Sequence, residues 1–186
     1  MAPKAIMTEN LKQVRISGYG GQGIVLAGML LGKAASIFDG KEAVFTQAYG
    51  PEARGGASNA DVIIADTPVD YPKVTEADIL VALFQEAYSK FRPVLKPGGT
   101  LIVESDFVEV SDEDQDCCKL PATKIAEELG NKIVTNVVVL GYLVGKTGIV
   151  SREAAEEAIR TTVKEKTIDL NMRAFAAGFD YAQEGK

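Results

Sequence analysis

Gly18-Tyr19-Gly20-Gly21-Gln22-Gly23 is the stretch whose reading decides the fold. It follows an alternating apolar run through Val14 and Ile16 and opens straight into a helical pattern from Ile24. Four of its six residues are glycine, which removes the β-carbons that hold a ligand or a neighbouring chain off the backbone and permits positive φ in a tight strand-to-helix turn. Such a turn aims unpaired N–H groups and the positive end of a helix dipole at one place, a setting for an anionic oxygen. The same glycines also serve close packing of strand on helix, and a lone G-x-G-x-x-G does not choose between the two.

Outward from the turn, a first strand runs over residues 13–17 and a helix over 24–38, with Leu26, Leu30, Ala34 and Phe38 on one face. Gly28 and Gly32 lie inside that helix and weaken it by about 1 kcal/mol each relative to Ala, so close approach of another backbone is expected there. A second strand covers 42–47. The loop that follows, Ala48-Tyr49-Gly50-Pro51-Glu52-Ala53-Arg54-Gly55-Gly56-Ala57, is irregular by its Gly-Pro and Gly-Gly content, yet it carries Tyr49, Glu52 and Arg54 in one short span. Further strands are predicted at 58–66, 79–84 and 100–104. Helices are predicted at 85–95, stopped by Lys96-Pro97-Gly98-Gly99, and at 122–129. Residues 105–119 read as an acidic irregular stretch, a surface loop or a short hairpin, and 132–135 as a short strand or extended link before an apolar helix at 136–146. Ser151 caps the next helix, and the last runs over 164–183 with a bend near Gly178. The alternation predicts an α/β fold: a mostly parallel twisted sheet with helices on both faces, Rossmann-like, and a helical C-terminal third. The expected organisation is a single domain over 1–186, with an arm at 1–12.

Composition narrows the function. A net charge of −6, from 26 acidic and 20 basic residues, argues against nucleic acid or an anionic membrane as partner. No apolar run approaches the ~18 residues a bilayer requires, and residues 1–13 hold no continuous apolar block, so a cytoplasmic protein is expected. Histidine is absent and the two cysteines are adjacent, Cys117 and Cys118. These thiols are too few for an iron–sulfur cluster or a four-thiolate zinc site within the chain. Any electron carrier must therefore be borrowed. The cysteine pair reads either as a redox switch or as two reduced thiols in a polar loop.

In open α/β sheets, ligands bind at the carboxyl ends of the strands, where both unusual loops fall. Arg54 is suited to a bidentate hold on a phosphate or carboxylate, or to pairing with Glu52 or a neighbouring chain. A dinucleotide-binding dehydrogenase wants a carboxylate at the tip of the second strand. That tip reads Phe45-Thr46-Gln47, and the strand's acid, Glu42, lies at its other end. Asp61, Asp66, Asp70 and Asp78 read as a solvated face or strand ends.

Arg15 to Gly23 (R-I-S-G-Y-G-G-Q-G), Thr46 to Ser58 (T-Q-A-Y-G-P-E-A-R-G-G-A-S) and Asp70 to Val74 (D-Y-P-K-V) together resemble the gamma subunit of the 2-oxoacid:ferredoxin (2-oxoacid:acceptor) oxidoreductases, most closely the 2-oxoglutarate type. Leu95 to Gly99, Pro121 to Gly130 and Asn136 to Gly141 extend the similarity over residues 14–178. The resemblance implies oxidative cleavage of a 2-oxoacid with coenzyme A to acyl-CoA and carbon dioxide, with ferredoxin as acceptor. It places thiamine diphosphate and Mg with the alpha and beta subunits and iron–sulfur clusters on beta and delta, leaving this chain without a cofactor or metal of its own and without a catalytic residue. By the same resemblance Gly18, Gly20, Gly21, Gln22 and Gly23, together with Tyr49, Glu52, Arg54, Gly55 and Gly56, meet an anion, coenzyme A or a partner subunit. Ala48 departs from the pattern, where relatives often carry Ser. A stand-alone nucleotide-dependent oxidoreductase and a purely structural subunit are the alternatives, and in isolation the chain can pair as a homodimer.

Overall fold

The computed structural model describes residues 10–49 and 57–185. Among these, β1 (Lys12–Tyr19), β2 (Glu42–Ala48), β3 (Ala57–Ala65), β4 (Ala77–Ala82), β5 (Leu95–Glu104) and β6 (Cys118–Leu120) form one sheet in the order β2-β3-β1-β4-β5-β6. β1, β4, β5 and β6 pair in parallel, while β3 lies antiparallel between β1 and β2. The sheet is mostly parallel, as expected, but the second strand is not the neighbour of the first. β3 is buried along its whole length and β2 nowhere fully, so the apolar Val62-Ile63-Ile64 run claims the interior place and leaves β2 at the edge. β1 begins at Lys12, inside the expected arm, and residues 1–9 of that arm lie outside the described residues.

α1 (Ile24–Lys33), α3 (Ala122–Glu128), α4 (Thr135–Thr147), α5 (Arg152–Arg160) and α6 (Ile168–Gln183) contribute to one large core, together with Val14, Ile16, Val81 and Ile102 of the sheet. α2 (Gln85–Phe91) covers the other face, packing Ala87, Tyr88 and Phe91 on Leu80, Ala82 and Leu101. Both faces carry helices, unequally.

Three local expectations change. The first helix widens after Lys33, where the Asp39 N–H reaches back five residues to the Ala34 carbonyl at 3.0 Å. The extra residue per turn rotates the apolar face, so Ala35 is buried and Phe38 is left 37% exposed. The helix over 85–95 closes at Phe91 into a tighter turn, Arg92–Val94, because Pro93 has no N–H to continue it. Lys132–Val134 is a helical turn rather than a strand, with Asn131 Oδ1 accepting from the Ile133 N–H at 3.0 Å. The end of the 105–119 stretch forms neither a plain loop nor a hairpin: β6 joins β5 in parallel, and its three residues are too short for a readable alternation.

Glycine also sets how α4 and α6 cross. A β-carbon on Gly141 would run into the Phe175 carbonyl, and one on Gly178 into the Val138 carbonyl, so the two backbones lie in direct contact. α6 passes through Gly178 as one continuous helix. At Gly28 the expected close approach is made by side chains rather than by another backbone, since a β-carbon there would lie 2.8 Å from Ala60 Cβ and 2.9 Å from Phe45 Cε2. At Gly32 the nearest such contact is an ordinary 3.6 Å.

Candidate functional site

The glycine turn joins β1 to α1 at the carboxyl edge of the parallel strands, and its four glycines have different duties. Gly18 and Gly23 face inward. A β-carbon on Gly18 would collide with Gln22 Oε1 and lie 2.9 Å from Ile24 Cγ2. Gly23, the residue before α1, has φ +71°, and a β-carbon there would sit 2.7 Å from Asn136 Nδ2. Gly20 and Gly21 face outward: nothing lies within 4 Å of where their β-carbons would be, and Gly21 has φ +101°. Packing and open approach, the two readings the sequence left unresolved, are thus divided between the pairs.

The turn is held by side chains rather than by water-exposed backbone alone. Gln22 folds back so that Oε1 accepts from the Tyr19 N–H at 2.9 Å, and its Nε2 donates to the Leu83 carbonyl at 3.4 Å. Leu83, just past β4, donates its own N–H to the Ser17 carbonyl at 3.0 Å. From α4, buried Asn136 donates Nδ2 to the Gly23 carbonyl at 3.1 Å. The first turn of α1 carries no side-chain cap and no acidic residue. Its N–H groups and dipole therefore remain directed at the opening beside Gly20 and Gly21. Tyr19 is 43% exposed there and meets Phe84 edge to face, with ring centroids 5.3 Å apart.

Of the second loop, the structure describes only its ends. Tyr49 is exposed, and Glu52, Arg54, Gly55 and Gly56 lie outside the described residues, as do Gly50 and Pro51. β3 starts at Ala57, paired with Tyr19, so the chain returns from that loop directly beside the glycine turn. The place next to β1, where a dinucleotide fold keeps its ribose-binding carboxylate, is taken here by Ala57, Ser58 and Asn59.

Two residues of this edge escaped the sequence reading. For Asn136 the signal in the sequence is a lone amide at the head of an apolar helix. Glu104 ends the apolar strand β5 and is 1% exposed. Its Oε2 accepts from the Thr123 N–H and hydroxyl, both at 3.0 Å, and so caps α3 from another element. Its Oε1 has no hydrogen-bond partner among the described residues, and burial pushes its pKa above the ordinary carboxylate value. Among the aspartates, Asp66 and Asp70 are exposed as expected, but Asp61 is buried. It takes a two-pronged contact from Arg15, at 2.8 and 2.6 Å, with Asn59 Nδ2 adding a third donor at 2.9 Å.

Cys117 and Cys118 are free and pack on opposite faces of the sheet, Cys118 with the large core and Cys117 with the α2 cluster. Burial raises the Cys117 pKa, which disfavours its thiolate. Among the described residues no three His, Cys, Asp or Glu side chains converge as a metal site. No helix of the described residues is long and apolar enough to cross a membrane.

Residues 13–181 match the family model described as pyruvate ferredoxin/flavodoxin oxidoreductase. The chain is 49% identical over 177 residues to the 2-oxoglutarate synthase subunit KorC of Methanocaldococcus jannaschii, covering 93% of this chain and 95% of that one. The KorC subunit of Methanothermobacter marburgensis is 50% identical over 184 residues, covering 94% and 98%. Among solved structures, the gamma subunit of keto/oxoacid ferredoxin oxidoreductase from Geobacter sulfurreducens superposes with a TM-score of 0.86 at 45% identity, over 94% of this chain and 97% of that one.

Proposed function

The chain belongs to the pyruvate ferredoxin/flavodoxin oxidoreductase family, and we propose that it acts there without a reactive group of its own, in an enzyme that oxidises 2-oxoglutarate. It is a subunit of a 2-oxoacid:ferredoxin oxidoreductase complex. In the proposed reaction the oxoacid loses carbon dioxide, its acyl group passes to coenzyme A, and ferredoxin takes the electrons. Alpha, beta and delta subunits are the companions, and they hold thiamine diphosphate, Mg and the iron–sulfur clusters.

This chain's part is shape and donors. The open backbone at Gly20 and Gly21, backed by the uncapped start of α1, suits an anionic group of coenzyme A or a carboxylate on a companion subunit. Gln22 and Asn136 hold that backbone in place beforehand, so little ordering is left for the moment of binding. By the same reading Tyr49, Glu52, Arg54, Gly55 and Gly56, which stand in the sequence between β2 and β3, contribute to binding the same anion or companion subunit. The observation that carries this reading is the near full-length similarity to KorC subunits.

Affinity purification of the tagged chain from its own cells tests the proposal. Chains carrying thiamine diphosphate and clusters should co-elute, and the eluate should reduce ferredoxin faster with 2-oxoglutarate than with pyruvate or 2-oxoisovalerate. A chain that elutes alone, binds NAD(P)H or FAD and turns over a substrate would establish the stand-alone oxidoreductase instead.

A further inference from the structure

A sizeable hollow among the described residues lies away from the glycine turn. A cleft of about 640 Å³ opens at the opposite edge of the sheet, by the amino ends of β1 and β4 and the C-terminal end of α4. Its lining residues include Lys12, Lys41, Lys96 and Lys146 against two acids, Asp66 and Asp78. In a chain of net charge −6 this is a local inversion of sign. Asp78 is already shared, its Oδ1 lying 3.0 Å from Lys96 Nζ and 4.0 Å from Lys12 Nζ, while Oδ2 accepts the Gln13 N–H at 2.7 Å. Asp66 is engaged by Asn10 Nδ2 at 2.8 Å. Lys41 Nζ donates to the Ile149 carbonyl at 3.0 Å, which leaves its charge uncompensated by a carboxylate among the described residues. Lys146 is exposed and has neither ion pair nor hydrogen bond among them.

The backbone of the cleft is unusual as well. Ala77 pairs with Leu95 and Ile79 with Thr100, so the four residues Lys96 to Gly99 stand opposite Asp78 alone. A bulge of that size takes backbone groups out of the ladder, a device that recurs beside functional sites. Within it Gly98 has φ +76° and no atom within 4 Å of where a β-carbon would be, so its backbone is open to an incoming group. Leu95 to Gly99 is also a stretch the sequence singled out and the glycine-turn reading leaves unused.

We propose that this cleft binds a small phosphate-bearing molecule, as a second anion site separate from the glycine turn. The cleft has the volume of a small-molecule pocket. Among the described residues the cations lining it are lysines, compact charges suited to phosphoryl oxygens, with no arginine fork for a planar carboxylate.

Calorimetric titration of the full chain with inorganic pyrophosphate at low salt tests this, with malonate as the dicarboxylate arm. Pyrophosphate should bind saturably at one site and more tightly than malonate. Lys146→Gln, which breaks no internal bond, should weaken pyrophosphate by about fivefold, the scale of one partly exposed charge-assisted contact. Lys166→Gln, outside the cleft lining, should leave it unchanged. Circular dichroism melting of each variant verifies the fold. Absence of a saturable heat, equal loss in both variants, no loss in Lys146→Gln, or tighter binding of malonate would each overturn the assignment. Because the titration needs neither coenzyme A nor companion subunits, its failure leaves the glycine-turn reading untouched.

Discussion

Glycine is concentrated functionally in two regions of this molecule, the turn at residues 18–23 and the crossing of α4 and α6, and the missing β-carbon does opposite things there. At the crossing its absence brings two backbones into contact, and an added methyl would meet carbonyl groups that cannot move without their helices. In the turn the inward pair, Gly18 and Gly23, makes room for Gln22 and Asn136, whereas the outward pair faces empty space. Residue type is therefore a poor guide to purpose. What a β-carbon would strike separates glycines that hold the fold from glycines left open for a visitor.

The largest effect is expected at the crossing. Gly178→Ala should cost about 3 kcal/mol or more in urea unfolding, because a well-packed helix pair must separate to admit the methyl group. A loss below ~1 kcal/mol would show that α6 slides freely and would blur the contrast. Next comes the inward side of the turn. Gly23→Ala combines a left-handed backbone with crowding of Asn136, and about 2 kcal/mol of destabilisation is expected by the same measurement.

A smaller effect depends on pH. Burial raises the folded-state pKa of Glu104 above its unfolded value, so its contribution to stability is present below the unfolded value and drains away as pH rises through the folded one. Glu104→Gln keeps an acceptor for Thr123 and has no charge to bury. Its unfolding free energy should fall less than that of the wild type between about pH 4.5 and neutrality, and parallel curves would contradict the buried-acid account. The smallest effect on stability belongs to the outward glycines. Gly20→Ala should change unfolding by less than ~0.5 kcal/mol, yet in the assembled enzyme it should raise the KM for coenzyme A or weaken subunit association. Unchanged kinetics and association would make the turn purely structural.

The turn and the parallel core of the sheet were legible because their signals are local: glycine spacing, alternation, and an apolar run too long for an edge. The strand order was not. Nothing in Glu42 to Ala48 announces an edge strand until β3 is seen to need both of its neighbours. The α4–α6 contact escaped for a similar reason, since Gly141 and Gly178 are 37 residues apart in sequence and acquire meaning only together. Asn136 and Glu104 are single polar residues in apolar stretches, and only burial tells such a residue from a solvated one. Conversely, the aspartates that read as a solvated set contain one, Asp61, whose partner Arg15 lies on a strand distant in sequence and adjacent in space.

The most direct test of the central claim is ferredoxin reduction with 2-oxoglutarate and coenzyme A, measured for the purified chain alone and for the enzyme reassembled with its companion subunits. Turnover by the assembled enzyme and none by the chain alone is the predicted result. Turnover by the chain alone would contradict it.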